Sequence, residues 1–195
     1  MDTCGVILAG GKSRRMGTNK SLLKIGNQTV INRIFLELMK VTNCLSIVTH
    51  QPQLYNDLPA RFVTDRYQES GPLAGIEAAL YYNKADVFII TACDMPFIQY
   101  PILQYMIDNL EDYDGVVPVY QTHMHPLAAV YKKSVLEEVQ KQLDKGERKV
   151  TGFFEEMNIR FIHDFHGFPR DQVERHFFNM NTPEQYEHAK TMRLV

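Results

Sequence analysis

Short apolar runs alternate with longer amphipathic stretches along the whole chain. The runs CGVILAG (4–10), CLSIVTH (44–50), RFVTD (61–65), VFIITAC (87–93) and GVVPVY (115–120) are rich in β-branched or aromatic residues and bounded by turn-forming residues. That is the pattern of buried strands. Between them lie stretches with helical spacing: QTVINRIFLELMKV (28–41) sets Val30, Ile34, Leu38 and Val41 on one face, and GPLAGIEAALYYN (71–83) and PILQYMIDNL (101–110) do likewise. Two further helices are predicted from their starts. SVLEEVQKQL (134–143) opens with Ser134 and Glu137 at capping-box spacing, and TPEQYEHA (182–189) opens with Thr182, Pro183 at the first helical position, and Gln185. Strand and helix in alternation predict an α/β, Rossmann-like fold: a mainly parallel sheet with helices on both faces, in three α/β/α layers. In such sheets ligands bind beyond the carboxyl ends of the strands, where the strand order reverses.

Composition narrows the class. A chain of 195 residues that is 45 % apolar and 23 % charged suits one soluble globular domain, taken as 1–195, and no repeat or low-complexity linker divides it. The net charge of −2 argues against a surface that coats nucleic acid, which needs a broad basic face. Cys4, Cys44 and Cys93 are odd in number and lack CxxC spacing, so no disulfide framework or zinc knuckle is expected. No run approaches the roughly 20 apolar residues of a membrane span, and Asp2 stands where an export signal would carry positive charge. The expected setting is the reducing cytoplasm, with no membrane partner.

The candidate chemistry sits where the predicted strands end. After the first run, Gly10 and Gly11 lead into a loop carrying Lys12, Arg14, Arg15 and Lys20 with no acid among them. Glycines let a ligand approach the backbone, and successive amides backed by cations form an anion cradle. The loop misses the GxxxxGK[ST] phosphate loop because Val6 occupies the glycine position, and misses GxGxxG because Lys12 occupies the second glycine. A solvated basic turn is the plainer alternative. In ITACDMPF an apolar strand runs into Asp94, placed either to hold a hard cation at the sheet edge or to cap the following turn. Asp65, in FVTD, arrives at the same edge. GPLAGI supplies Ala74 and Gly75, small enough for a flat ligand or for close helix-to-sheet packing. Asn179 and Asn181 in NMNTPE either order a turn or offer groups to a metal or phosphate. The pair His123 and His125 lacks a third ligand at metal spacing; HMHPLAAVYK reads as a polar turn before a strand, with His125 near a substrate. RFIHDFHGF (160–168) reads as an edge strand and its loop.

Together these motifs resemble a known family. LAGGKSRRMGTNK is similar to the LAGGxSxRMGxxK signature of Rossmann-like nucleotidyltransferases, and with GPLAGI, CDMPF and NMNTPE it resembles the molybdenum cofactor guanylyltransferases, over most of the chain from Gly5 to Glu184. The resemblance implies a nucleotide-diphospho-sugar transferase-like fold and transfer of GMP from Mg-GTP to the terminal phosphate of molybdopterin or its molybdenum adduct, releasing pyrophosphate. It implies that Leu8, Ala9, Gly10 and Gly11 hold the nucleotide together with Asp65 and Gly75. Lys20 and Arg15 would meet phosphates, Asp94 would bind magnesium or, in its place, manganese, and Asn179 and Asn181 would lie in the active site. It further implies transient contacts with other cofactor-biosynthesis proteins and with molybdoenzymes or their chaperones. The chemistry agrees: a phosphate nucleophile is already anionic, so two anions must be aligned and their charge neutralised, and no general base is required. The alternatives are a cytidylyl- or other nucleotidyltransferase of the same fold, and a catalytically silent nucleotide-binding module. The pair Gly10-Gly11 favours the purine nucleotide, since glycine leaves room for the larger base.

Overall fold

The structure is a computed structural model that describes residues 1–10 and 19–192. The five apolar runs form β1 (Thr3–Leu8), β4 (Cys44–Val48), β5 (Arg61–Val63), β6 (Val87–Ala92) and β7 (Gly115–Tyr120); the other strands are β2 (Lys24–Ile25), β3 (Gln28–Thr29), which takes the start of the predicted 28–41 helix, β8 (His123–Met124), β9 (Ala128–Lys132) and β10 (Ile159–Ile162). The helices are α1 (Val30–Leu38), α2 (Gly71–Tyr82), α3 (Tyr100–Asp108), α4 (Leu136–Asp144), α5 (Arg170–His176) and α6 (Pro183–Thr191). The main sheet has the order β10-β7-β9-β6-β1-β4-β5, with β8 attached to β7, while β2 and β3 form a separate hairpin. Parallel pairing joins β5, β4, β1 and β6, and also β10 and β7. β9 runs antiparallel to both β6 and β7, so the sheet is mixed though mainly parallel.

Alternation along β1 explains the layers. Val6 and Cys4 point to a core with Leu73, Ile76 and Leu80 of α2 and Val139 and Leu143 of α4. Ile7 points to the opposite core, with Ile34 and Leu38 of α1, Ile102 and Met106 of α3, Val173 of α5 and Ala189 of α6. Helices therefore cover both faces, as the alternation required. Gly5 permits a close approach: a Cβ there would stand 2.5 Å from Leu45 Cδ2 and 3.2 Å from Leu38 Cδ2. The one polar side chain buried within β6, Thr91, donates its hydroxyl to the Val6 carbonyl at 2.7 Å. Cys4 and Cys44 meet in register across β1 and β4 as free thiols with their sulfurs 2.9 Å apart.

Two local expectations change. Ser134 does not cap a helix. It lies in a 3-10 turn over Lys133–Val135, and its hydroxyl donates instead to Asp114 at 2.8 Å, so α4 starts later, at Leu136, without a side-chain cap. α5 is a helix that the apolar spacing did not signal. Thr182, by contrast, forms the complete capping box with Gln185 at the start of α6. Among the described residues no helix is long and apolar enough to cross a membrane.

Candidate active site

The strand order reverses at β1. The chain proceeds outward from β1 through β4 to β5, then returns through α2 to place β6 on the other side of β1. Such a reversal leaves a crevice at the carboxyl ends, because the connections leave toward opposite faces. Leu8 and Ala92 are register partners there, and the Cys93 N–H donates to the Leu8 carbonyl at 3.3 Å. The Ala9 N–H donates to the Val48 carbonyl at 2.9 Å, which holds the end of β1 extended and presents an exposed Gly10. Gly11 and Arg15, with the rest of the loop from 11 to 18, lie outside the described residues.

Lys20 follows that loop on a 3-10 turn over Lys20–Leu22. Asn19 caps the turn by accepting from the Ser21 N–H at 3.1 Å. The Asn19 amide donates to the Tyr55 hydroxyl at 3.1 Å, and the buried Ser21 hydroxyl lies 2.7 Å from both Asn19 Oδ1 and the Tyr55 hydroxyl. Lys20 itself donates from Nζ to Asn181 Oδ1 at 2.7 Å. Asn181 is fixed in turn by α6: Gln185 Oε1 accepts from the Asn181 N–H at 2.6 Å and the Thr182 N–H at 3.0 Å. The Met180 N–H donates to the Asp94 carbonyl at 2.7 Å, and Met180 is fully buried. Three motifs far apart in sequence are thus stitched to one edge, around Lys20, Asp94 and Asn181.

The electrostatics follow from this arrangement. Burial pushes the Asp94 carboxyl above the usual carboxylate range, opposed by the positive charge of Lys20 and a hydrogen bond from its own backbone. Cys93, beside it, is pushed up to about 12 by burial and then by the Asp94 charge, so it stays a neutral thiol. Among the described residues no three His, Cys, Asp or Glu side chains converge on a metal position. A single desolvated carboxylate is what magnesium uses when substrate phosphates complete its shell. Asp65 stands at the end of β5, its carboxylate 3.4 Å from His50 Nε2. Burial raises it as well, with His50 pulling the other way. Gly75 is buried where α2 crosses the sheet: a Cβ would meet Leu8 Cδ2 at 3.1 Å and lie 3.7 Å from Asp65 Oδ1. The same glycine therefore allows close packing and borders Asp65.

Asn179 faces elsewhere, into a cleft of about 450 Å³ between the β7–β8 turn and the segment after α5. His125 lines that cleft with its ring 4.7 Å from Phe177. Sequence reasoning missed Asn19, Ser21, Tyr55 and His50, which hold the motif residues. The Asn19-Lys20-Ser21 order is a local cap signal that could have disclosed two of them. Tyr55 and His50 reach the site only through tertiary contacts.

A family model for the MobA-like NTP transferase domain matches residues 5–159. A probable molybdenum cofactor guanylyltransferase of Carboxydothermus hydrogenoformans is 37 % identical over 93 % of this chain and 91 % of its own. A solved structure of molybdopterin-guanine dinucleotide biosynthesis protein A from Archaeoglobus fulgidus superposes with a TM-score of 0.78 at 25 % identity, covering 96 % of each chain. The 4-diphosphocytidyl-2C-methyl-D-erythritol synthase of Anaerococcus prevotii shares the fold at a TM-score of 0.74 and 12 % identity, over 97 % of this chain and 94 % of its own.

Proposed function

We propose, from the premise that this chain belongs to the MobA-like NTP transferase family and is a nucleotidyltransferase, that it transfers GMP from GTP to the terminal phosphate of molybdopterin or its molybdenum adduct. The observation that carries the reading is the junction of Lys20, Asp94 and Asn181 at the switch point of the sheet, held by the Lys20–Asn181 and Met180–Asp94 hydrogen bonds. The nucleotide would lie over Leu8, Ala9 and Gly10, bordered by Asp65 and Gly75, with Gly11 and Arg15 supplied by the loop outside the described residues. An oxygen of the acceptor phosphate attacks the α-phosphorus, the bond to the bridging oxygen breaks, and pyrophosphate leaves with the electron pair. Lys20 is the donor that meets the growing charge, its side chain already oriented by Asn181, so little reorganisation remains at the moment of reaction. Asp94 would hold Mg2+, or Mn2+ in its place, and the ion when bound neutralises charge on the α- and β-phosphates. Contacts with other cofactor-biosynthesis proteins and action in the cytoplasm belong to the same proposal.

The test is pyrophosphate release from GTP, CTP and ATP with molybdopterin, titrated with magnesium for the native chain and Asp94→Asn. GTP should be the preferred donor. Asn preserves size and turn geometry but removes the charge, so half-saturation for magnesium should rise at least about tenfold while melting stays near native. Equal use of CTP would move the chain to the cytidylyl branch, and no acceptor-dependent release from any nucleotide would leave a binding module. Unchanged magnesium dependence in Asp94→Asn would remove Asp94 from the metal site.

A further inference from the structure

At the amino end of the sheet, away from Lys20, Asp94 and Asn181, two thiols meet across neighbouring strands. Cys4 of β1 and Cys44 of β4 are register partners in a parallel pair, and their sulfurs stand 2.9 Å apart. Paired strands lie about 4.8 Å apart, inside the Cα separation that a disulfide spans, and partners in register send their side chains to the same face. Closing the gap to a bond of about 2.05 Å takes a rotation of the side chains rather than a shift of the strands. The backbone beside them is pinned. The Thr42 hydroxyl donates to the Thr3 carbonyl at 2.5 Å and accepts from the Cys44 N–H at 3.1 Å, which ties the start of β4 to β1. The two sulfurs differ in access: Cys44 is exposed and Cys4 is fully buried. Burial first, and then Cys44, push the Cys4 thiol up, against the pull of Arg61 at the start of β5, so Cys4 rests as a neutral thiol. Cys93 sits at the opposite edge. It follows Phe88, the register partner of Cys4 in β6, by five residues, or about 16 Å at the rise of a strand, too far to bridge to Cys4.

We propose that Cys4 and Cys44 form a reversible dithiol–disulfide site whose oxidant is a small-molecule disulfide. Access sets the order of events. The exposed Cys44 gives up its proton and attacks one sulfur of the small disulfide; that S–S bond breaks, and the departing thiolate takes a proton. Cys4 then gives up its proton and attacks the Cys44 sulfur, expelling the second small thiolate, which is protonated in turn. Two protein thiols and one small disulfide become one protein disulfide and two small thiols, and two electrons leave the protein. The second step uses a buried, protonated nucleophile, but its sulfur already touches its target, so the attack is intramolecular and needs no search. A mixed disulfide on Cys44 is therefore short-lived. The bond closes the loop from 4 to 44, which carries Gly10, Lys20 and α1, and removes freedom from the unfolded chain. The carboxyl edge of β1 is left as it was, since Leu8 lies four residues further along the strand.

The probe is oxidised glutathione, added to the native chain, with free thiols then blocked and the intact mass read. The native chain should lose two hydrogens, keep no glutathione, yield a peptide cross-linked through Cys4 and Cys44, and leave Cys93 as the sole thiol. Dithiothreitol should restore the other two. Cys4→Ser lacks the resolving sulfur and should hold one glutathione on Cys44. Cys44→Ser, at an exposed position, should take up none, because Cys4 is shielded; it serves where Cys4→Ser does not fold. Oxidation should raise the melting temperature of the native chain by about 5 °C or more and leave that of Cys44→Ser unchanged. Three retained thiols after treatment overturn the proposal, as do glutathione that stays on Cys44 of the native chain and a dimer linked through Cys44. A melting temperature that fails to rise overturns it as well, since the strands would then not present the pair ready to close.

Discussion

The two halves of the sheet's carboxyl edge solve different problems with different materials. Around β1, β4 and β6 the polar groups are tied to one another: Lys20 to Asn181, Asn19 and Ser21 to Tyr55, His50 to Asp65. Across β9 and β7 the wall is aromatic, Tyr120 and His125 on Phe177, over a fully buried and neutral His176. Parallel strands deliver the first half, each ending at the same edge and presenting the residue after its last ladder bond. In the second half β7 runs in the same sense as β6, with β9 antiparallel between them, so the β7–β8 turn lies at that edge as a hairpin. The difference teaches that one sheet edge carries two environments, according to whether its strands end there singly or turn back as a hairpin. One half is built of polar groups tied to one another, and the other of packed aromatic faces.

Removing the charge at the boundary should show the largest effect. Lys20→Ala is expected to lower turnover about 10²- to 10³-fold, the usual result of deleting one preorganised donor to a charged transition state. Stability should hold, because the 3-10 turn is kept by Asn19, Ser21 and Tyr55 rather than by the lysine stem. Turnover near native would break the comparison by showing that charge is met elsewhere. Steady-state rates with thermal melts of both proteins provide the check.

Next in size is an effect on stability in the aromatic half. His176 accepts the Gln99 N–H at Nδ1 (3.0 Å), so its proton sits on Nε2, which has no hydrogen-bond partner among the described residues. A second proton would desolvate a charge and set two donors against each other. Burial first, and His125 second, lower its pKa to about 3. The unfolded chain takes up that proton near its ordinary value of about 6.5, so the stability that neutral His176 contributes is full above that pH. It is lost as pH falls toward 3, by at most about 1.4 kcal/mol per unit, or roughly 2 kcal/mol between pH 7 and 5. Asp65 and Asp94, both raised, act oppositely in the more acid range, which is why the window closes at pH 5. His176→Asn keeps an acceptor for Gln99 and cannot charge. Urea denaturation at pH 7 and pH 5 should show its deficit relative to the native chain shrinking as pH falls; parallel curves would exclude His176 as the source.

What the sequence disclosed follows the same division. The place of Gly10, Asp65 and Asp94 at the carboxyl edge was legible because a strand announces its end by β-branched runs giving way to small or acidic residues. Lys20, Asn179 and Asn181 could each be singled out locally, but that Asn181 meets Lys20 was not legible, since nothing local says that NMNTPE meets the first loop. The antiparallel course of β9 was hidden because strand composition carries no direction; it appears only in the pairing of β9 with β6 and β7. The capping spacing of Ser134 and Glu137 misled, because Asp114 on a neighbouring connection competes for the hydroxyl. Helix α5 was missed since its seven residues bury only Val173 and His176, too few to show a period.

The finest test concerns how the charged half is held, and it separates a cap from a tether. Thr182 and Gln185 stabilise the start of α6 reciprocally, but only Gln185 also accepts from the Asn181 N–H, at 2.6 Å. Thr182→Ala removes the acceptor for the Gln185 N–H and leaves Asn181 tied; Gln185→Ala removes the acceptor for both the Thr182 and Asn181 N–H groups. Each should cost about 1 kcal/mol of stability, the ordinary worth of a helix cap. If Asn181 must be fixed to orient Lys20, Gln185→Ala should also lower kcat about three- to tenfold with little change in the KM for GTP, and Thr182→Ala should not. Gln185→Glu retains an acceptor at the same reach and should restore most of the rate. Equal losses of kcat in the two alanine variants would reduce Gln185 to a helix cap. Lys20 would then owe its position to Asn19, Ser21 and Tyr55, and the charged half would be organised from β1 outward rather than from α6 inward.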